Sequence, residues 1–356
     1  MLSKKLFLSS TVLIVLITLP LIGSVGASSE MWSRTYGGAS SDYAEAMVQT
    51  SDGGYALAGY TRSFGAGSYD FWLVKTDEYG VMEWNHTYGG AGIEHAYALV
   101  ETSDGGYALT GTTKSFGAGK YDFWLVKTDG YGNVEWNQTY GGESNDFAYA
   151  LVETSDGGFA IAGGASLVKT DAYGNLEWTQ TCPVFARSLV ETSDGGFAIA
   201  GGPGLVKTDA YGNMEWYRTY RGGEAYSLVE TSDGGYAIAG DTSILNPEIG
   251  IVSDFWLVKT DANGNLEWKQ TYSGWRVYSL VETSDGGYAL AGGKRSFDTG
   301  SDDFWLAKTD EHGVIPEFPS WAVLPLLITA TLVIIVCKKR LPKNLSNQQK
   351  SFISGA

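Results

Sequence analysis

The groups in this chain that could do chemistry recur at fixed places. Six TSDGG strings begin at Thr50, Thr102, Thr154, Thr192, Thr231 and Thr283, and immediately before them stand Gln49, Glu101, Glu153, Glu191, Glu230 and Glu282. Downstream, each repeat carries a lysine followed two residues later by an aspartate, as in Lys127 and Asp129. A ring of carboxylates could bind a cation. Matched opposite charges in every repeat point instead to a structural network, in which the carboxylates pair with the lysines or cap backbone groups. The chain has three histidines and two cysteines, and only Cys182 lies between its apolar ends. That leaves no internal disulfide there and no zinc site of standard ligand spacing. With no cofactor cradle and no set of acid, base and nucleophile in view, no cofactor, metal or catalytic residue is expected.

The elements that position these groups follow from the repeat. The TSDGG strings are spaced 52, 52, 38, 39 and 52 residues apart, a period that points to propeller blades. Each repeat reads as four short strands, for example Tyr97 to Thr102, Tyr107 to Thr112, Phe123 to Thr128 and Val134 to Tyr140. Asp-Gly-Gly, a Gly-rich loop and Asp-x-x-Gly separate them, as tight hairpins require. Small residues two, four and six before each TSDGG threonine suit an innermost strand, where blades crowd together. The outermost strand carries Trp84, Trp136, Trp178, Trp216 and Trp268, five tryptophans for six repeats, each expected to dock on the neighbouring blade. The sixth repeat lacks its fourth strand, while Glu30 to Gly38 (EMWSRTYGG) matches the outer-strand sequence of Glu83 to Gly90. The expectation is therefore an all-β, six-bladed β-propeller spanning 30–315, closed by pairing of N- and C-terminal strands.

The invariant TSDGG and TDxxGN turns should emerge on one face and the individual loops on the other. The third and fourth repeats lose ten residues between second and third strands, where SFGAGKYDFW gives way to GGASL and GGPGL, which predicts a notch over these blades. At the start of the inner strands on the variable face stand Glu45, Tyr97, Tyr149, Arg187, Tyr226 and Tyr278, with His95, Arg221, Trp275 and Arg276 nearby. Tyr97, Tyr149, Arg187, Arg221, Tyr226, Trp275, Arg276 and Tyr278 form the candidate ligand-binding set. Aromatics with a few arginines could stack on sugar rings or grip an acidic group, and the alternative is that the tyrosines pack between blades. Sequons at Asn85 and Asn137 fall on outermost strands and are candidate glycosylation sites.

The two ends read as targeting segments. Lys4 and Lys5, an apolar run from Leu6 to Ile22 and small residues to Ser28 have the order of a signal peptide over 1–28. A 17-residue apolar run at 321–337 followed by Lys338, Lys339 and Arg340 reads as one transmembrane helix with a cytoplasmic tail over 338–356. Residues 30–315 carry 17 basic and 39 acidic side chains, which excludes nucleic acid as a favoured partner. The location expected on this reading is the cell surface, single-pass anchored, with the propeller outside.

The TYGG, TSDGGYALAG, DFWLVKTD and GNxEW units resemble the β-propeller repeats of large archaeal and bacterial surface proteins over residues 30–315. The KTDxxGNxEW turn looks distantly like the tryptophan-docking turn of quinoprotein propellers. Pro316-Glu317-Phe318 at 316–320, ahead of an apolar run and a basic cluster, is similar to PEF-type archaeal sorting signals. The resemblance implies a propeller and is nearly silent on activity. The expected function is membrane-anchored binding or adhesion to a glycan or cell-envelope protein, without catalysis. The alternatives are an exported enzyme, quinoprotein-like or glycan-active, and a structural envelope component.

Overall fold

The computed structural model describes residues 32–220, 223–246, 250–273, 275–295 and 302–315. These residues are all β and contain no helix. The first repeat forms the antiparallel sheet β1 (Asp42–Gln49), β2 (Tyr55–Thr61), β3 (Asp70–Thr76) and β4 (Met82–Tyr88). The second repeats it with β5 (Glu94–Glu101), β6 (Tyr107–Thr113), β7 (Asp122–Thr128) and β8 (Val134–Tyr140).

The shortened repeats behave differently. The third and fourth share one six-stranded sheet made of β9 (Ala150–Glu153), β10 (Phe159–Thr170), β11 (Leu176–Glu191), β12 (Phe197–Gly201), β13 (Gly204–Thr208) and β14 (Met214–Thr219). Strand β11 is the shared element, because the TYGG loop that ends other outer strands is replaced here by Cys182-Pro183. The chain then runs extended from one repeat into the next. A regular sheet follows, β15 (Glu224–Glu230), β16 (Tyr236–Asn246), β17 (Gly250–Thr260) and β18 (Leu266–Ser273). The last sheet has three strands, β19 (Trp275–Glu282), β20 (Tyr288–Arg295) and β21 (Asp302–Lys308).

Two expectations are thereby corrected. The described strands make a five-bladed propeller and not a six-bladed one, since two repeats are fused through β11. The expected closing strand at the N-terminus is also not formed, because residues 32–38 belong to no sheet and β21 ends a three-stranded one. The N-terminal segment is held by side chains instead. Trp32 meets Tyr55 edge-on with ring centroids 5.8 Å apart, and the Tyr36 hydroxyl donates to the Gly80 carbonyl at 2.5 Å. The single-pass membrane anchor is corrected as well: among the described residues no helix is long and apolar enough to cross a membrane. The segments read as signal peptide (1–28), PEF-type motif (316–320), transmembrane helix (321–337) and basic tail (338–356) lie outside the described residues.

The sheets are joined by repeated contacts. Each outer-strand tryptophan packs edge-on against the aromatic after the next TSDGG string, as with Trp84 and Tyr107, Trp136 and Phe159, and Trp216 and Tyr236. The same indole covers the Asp-x-x-Gly turn of the next repeat. A Cβ on Gly132, whose φ is +80°, would lie 2.7 Å from the Trp84 ring. The TYGG tyrosine adds a hydrogen bond to that turn, from the Tyr88 hydroxyl to the Gly132 carbonyl and from Tyr140 to Gly174, both 2.7 Å. In the other direction, Glu101 accepts from the Ser51 amide at 2.8 Å, and Glu153, Glu191, Glu230 and Glu282 repeat this cap on the serine of the preceding TSDGG turn. The carboxylate series is therefore a set of inter-repeat caps. The lysines pair elsewhere: Lys127 Nζ sits 2.8 Å from Asp104 and 2.9 Å from Glu135, and bonds the Thr128 carbonyl.

Candidate binding face

Five of the six innermost strands carry one irregularity, and it sets the site. Pairing of β5 with β6 goes from Ala96 opposite Gly111 to Ala98 opposite Thr110, so Tyr97 has no partner. The same one-residue bulge leaves out Glu45 in β1, Arg187 in β11, Tyr226 in β15 and Tyr278 in β19. In the third repeat, Tyr149 stands just ahead of β9 and donates its amide to the Ala162 carbonyl at 2.9 Å. A bulge bends the strand and re-aims its extra side chain, and here it does so at one level in five repeats, with Tyr149 at the equivalent place in the third.

The partner strand shows why the bulge fits. Gly111 faces the His95 carbonyl so closely that a Cβ would lie 1.9 Å from it, and Gly59, Gly163, Gly201, Gly240 and Gly292 make the same approach within 2.2 Å. An interior strand glycine is the signal for such an approach, and it stands in the sequence as the glycine of ALAG, ALTG and AIAG.

These positions create a continuous aromatic band. The Tyr43 ring lies 4.9 Å from Tyr60, Tyr60 stacks on His95 at 4.0 Å, and His95 Nδ1 is 3.3 Å from the Tyr97 hydroxyl. Tyr97 then meets Tyr149 at 5.2 Å and Tyr149 meets Phe185 at 6.0 Å. Arg187 closes this run, its guanidinium carbon 4.4 Å from the Tyr149 ring centre and 5.3 Å from that of Phe185. Tyr226 and Tyr278 form a second pair, 6.1 Å apart. Tyr278 is exposed, whereas Tyr97, Tyr149 and Tyr226 are half-buried.

Electrostatics divide the band. Burial raises the Tyr97 hydroxyl to about 12, and burial also raises Glu45, which accepts a hydrogen bond from Tyr60. Asp241 is raised by burial too, against the opposing charge of Arg276 and a hydrogen bond from Tyr226. Burial holds His95 below the ordinary imidazole value. Arg187 has no carboxylate partner among the described residues, and its Nε is buried without a hydrogen-bond acceptor. Arg187 is thus a half-buried guanidinium lying over two rings with one donor unmet, and guanidinium groups pair well with anionic oxygens.

Of the expected site residues, the structure therefore brings Tyr97, Tyr149 and Arg187 into one contact chain and Tyr226 and Tyr278 into a neighbouring pair. Arg276 is exposed beside Asp241. Arg221 and the side chain of Trp275 lie outside the described residues. Tyr43, Tyr60, Phe147 and Phe185 belong to the band and were not picked out by reading the sequence, although most stand two residues before a bulge. Asn85 and Asn137 are exposed on β4 and β8, each accepting from an indole N–H of Trp72 or Trp124 at 3.1 Å. No cluster of three or more His, Cys, Asp or Glu among the described residues could hold a metal ion.

No family model matches the chain, and no curated protein matches it. Solved structures do share its fold. The WD40 domain of Pan2 from Neurospora crassa has a TM-score of 0.52 at 10% identity, covering 76% of this chain and 80% of that one. The WD40 repeats of RRP9 give 0.51 at 10% identity, covering 74% and 79%. At such identity the likeness is one of architecture. The chain is a β-propeller.

Proposed function

We propose that this chain is a non-catalytic binding propeller, with residues 30–315 as the binding unit, whose bulge-borne band grips an acidic group on a protein partner. Arg187 carries the reading. In a chain of net charge −16 it is a half-buried cation seated on two aromatic rings with no acidic partner among the described residues. The band beside it offers flat, rigid contact area, as binding hot spots do. Propeller relatives support a scaffold role, and the individual loops on this face suit recognition better than a shared reaction. Tyr97, Tyr149, Arg187, Tyr226, Arg276 and Tyr278 are the contact residues in this reading, and exposed Asn85 and Asn137 are glycosylation acceptors that would leave the face clear.

The test is binding of the full chain to an array holding acidic and neutral peptides together with uronate-bearing and sulfated glycans. Capture of acidic peptides, weakened about ten-fold or more by Arg187→Ala and less by Arg187→Lys, supports the reading. Capture confined to acidic glycans keeps the site and changes the partner class. Binding that Arg187→Ala and Tyr226→Ala leave unchanged removes the site.

A further inference from the structure

The seam between the second and third repeats holds a gap whose shape is set by a missing side chain. In the seam between the first two repeats, Phe71 of β3 packs against Trp124 of β7 at 4.7 Å, inside a cluster with Leu73, Tyr88, Leu99, Leu109 and Val126. Near the end of the chain Phe255 and Trp305 make the same pair at 5.1 Å. The seam between second and third repeats rebuilds that cluster member by member, with Phe123, Leu125, Tyr140, Leu151, Ile161 and Val168. It lacks the indole. Aligned on LVKT, the position of Trp124 is occupied by Ser166, because the shortened third repeat has no DFW.

A cavity of about 530 Å³ opens at this place, lined by Phe123, Tyr140, Ser166, Val168 and Leu176 among others. Phe123 has no ring partner among the described residues. One polar contact is also conserved in kind. The Trp124 indole donates to the Asn137 side chain at 3.1 Å, and the residue matching Asn137 in the third repeat is Thr179, which lines the cavity. A hydroxyl accepts an indole N–H as an amide oxygen does.

We infer that this gap is a receptor slot for a tryptophan side chain presented by a partner polypeptide. The ring takes the place that Trp124 and Trp305 fill from within the chain, in the gap lined by Phe123, Val168 and Leu176, with its N–H on Thr179 Oγ1. The cavity is larger than one indole, which leaves room for the backbone that carries it. The slot is independent of the aromatic band, and the two fail separately, since Arg187→Ala should leave it intact.

The test is calorimetric titration of the full chain with indole and with 1-methylindole, which has the same rings and no N–H. The result expected is saturable, weak binding of one indole, as befits so small a ligand, with a preference over 1-methylindole. Ser166→Trp, which supplies the ring from inside, should abolish that binding and raise Tm; Ser166→Leu, a milder filling, should weaken it about ten-fold. Thr179→Val should erase the preference between the two probes while retaining binding. Absence of saturable indole binding, or binding indifferent to both Ser166 variants, overturns the slot, and an unchanged preference in Thr179→Val overturns its polar contact.

Discussion

Replacing one repeat lysine and leaving its counterpart should separate a buried charge from an exposed one within a single molecule. Lys127 is 6% exposed in its side chain and reaches two carboxylates, Asp104 and Glu135, as well as the Thr128 carbonyl. Lys308 stands at the same place in the last repeat but is 45% exposed, because its three described strands supply no outer-strand glutamate, and among the described residues it reaches one carboxylate, Asp285, and the Thr309 carbonyl. Removing a buried ion-pair partner costs about 3–5 kcal/mol when the remaining charge stays buried. Asp104 and Glu135 are 58% and 46% exposed, so water recovers part of that loss and Lys127→Met should cost about 2 kcal/mol. Lys308→Met should cost under about 1 kcal/mol. In a domain of this size the first change lowers Tm by about 5 °C.

The pH dependence has a definite sign. Burial works to raise Asp104, but hydrogen bonds from Lys127, Thr102 and the Gly106 amide outweigh it and bring it to about 2. A carboxylate lowered in the folded state contributes stability above its unfolded value near 3.8, and this is lost as pH falls toward 2. The gap between wild type and Lys127→Met in urea midpoints should therefore be full at pH 7 and shrink between pH 4 and 2. Equal midpoints for Lys127→Met and Lys308→Met at pH 7, or a gap that widens in acid, would refute the reasoning.

Three other substitutions and reactions follow from the same geometry. Gly111→Ala drives a Cβ into the His95 carbonyl and should abolish the bulge, costing several kcal/mol, whereas Gly142→Ala meets nothing within 4 Å and should leave urea unfolding unchanged. Tyr88→Phe removes a buried 2.7 Å bond to the Gly132 carbonyl and should lower stability by about 1–2 kcal/mol in the same assay. Burial raises the Cys182 thiol to about 11, so peptide mapping after brief alkylation at pH 8 should find it unmodified in the native protein and labelled in urea.

How far the sequence predicted this structure depends on whether a residue's neighbours lie in its own repeat. The TSDGG and Asp-x-x-Gly turns are local hydrogen-bonding units, so their residues announced the hairpins, and the alternating apolar pattern placed the strands between them. The tryptophan docking was legible because five copies stand nine residues after the repeat lysine. The fusion of two repeats through β11 was not, because Cys182-Pro183 can be read as a loop and becomes strand only when β10 and β12 pair on either side. The bulge level was half legible: the six residues at Glu45, Tyr97 and their equivalents were found by position, while the glycines that let them bulge act across strands. The loss of DFW in the third repeat suggested a notch on the face. In three dimensions it also empties a seam, since Trp124 packs against Phe71 of the preceding repeat as well as against Phe116 of its own loop.

The directional contacts between repeats have a consequence for how such a chain can change length. Most units end in a plug, the outer-strand tryptophan and the tyrosine that follows it, and begin with the matching socket, the turn glycine and the aromatic after TSDGG. Whole units can then be duplicated or lost with every plug still meeting a socket, even at the start of the described chain, where Trp32 and Tyr36 plug the first unit without belonging to any sheet. A deletion inside a unit has no such protection: it takes away a contact and leaves a gap in the seam, as at Ser166.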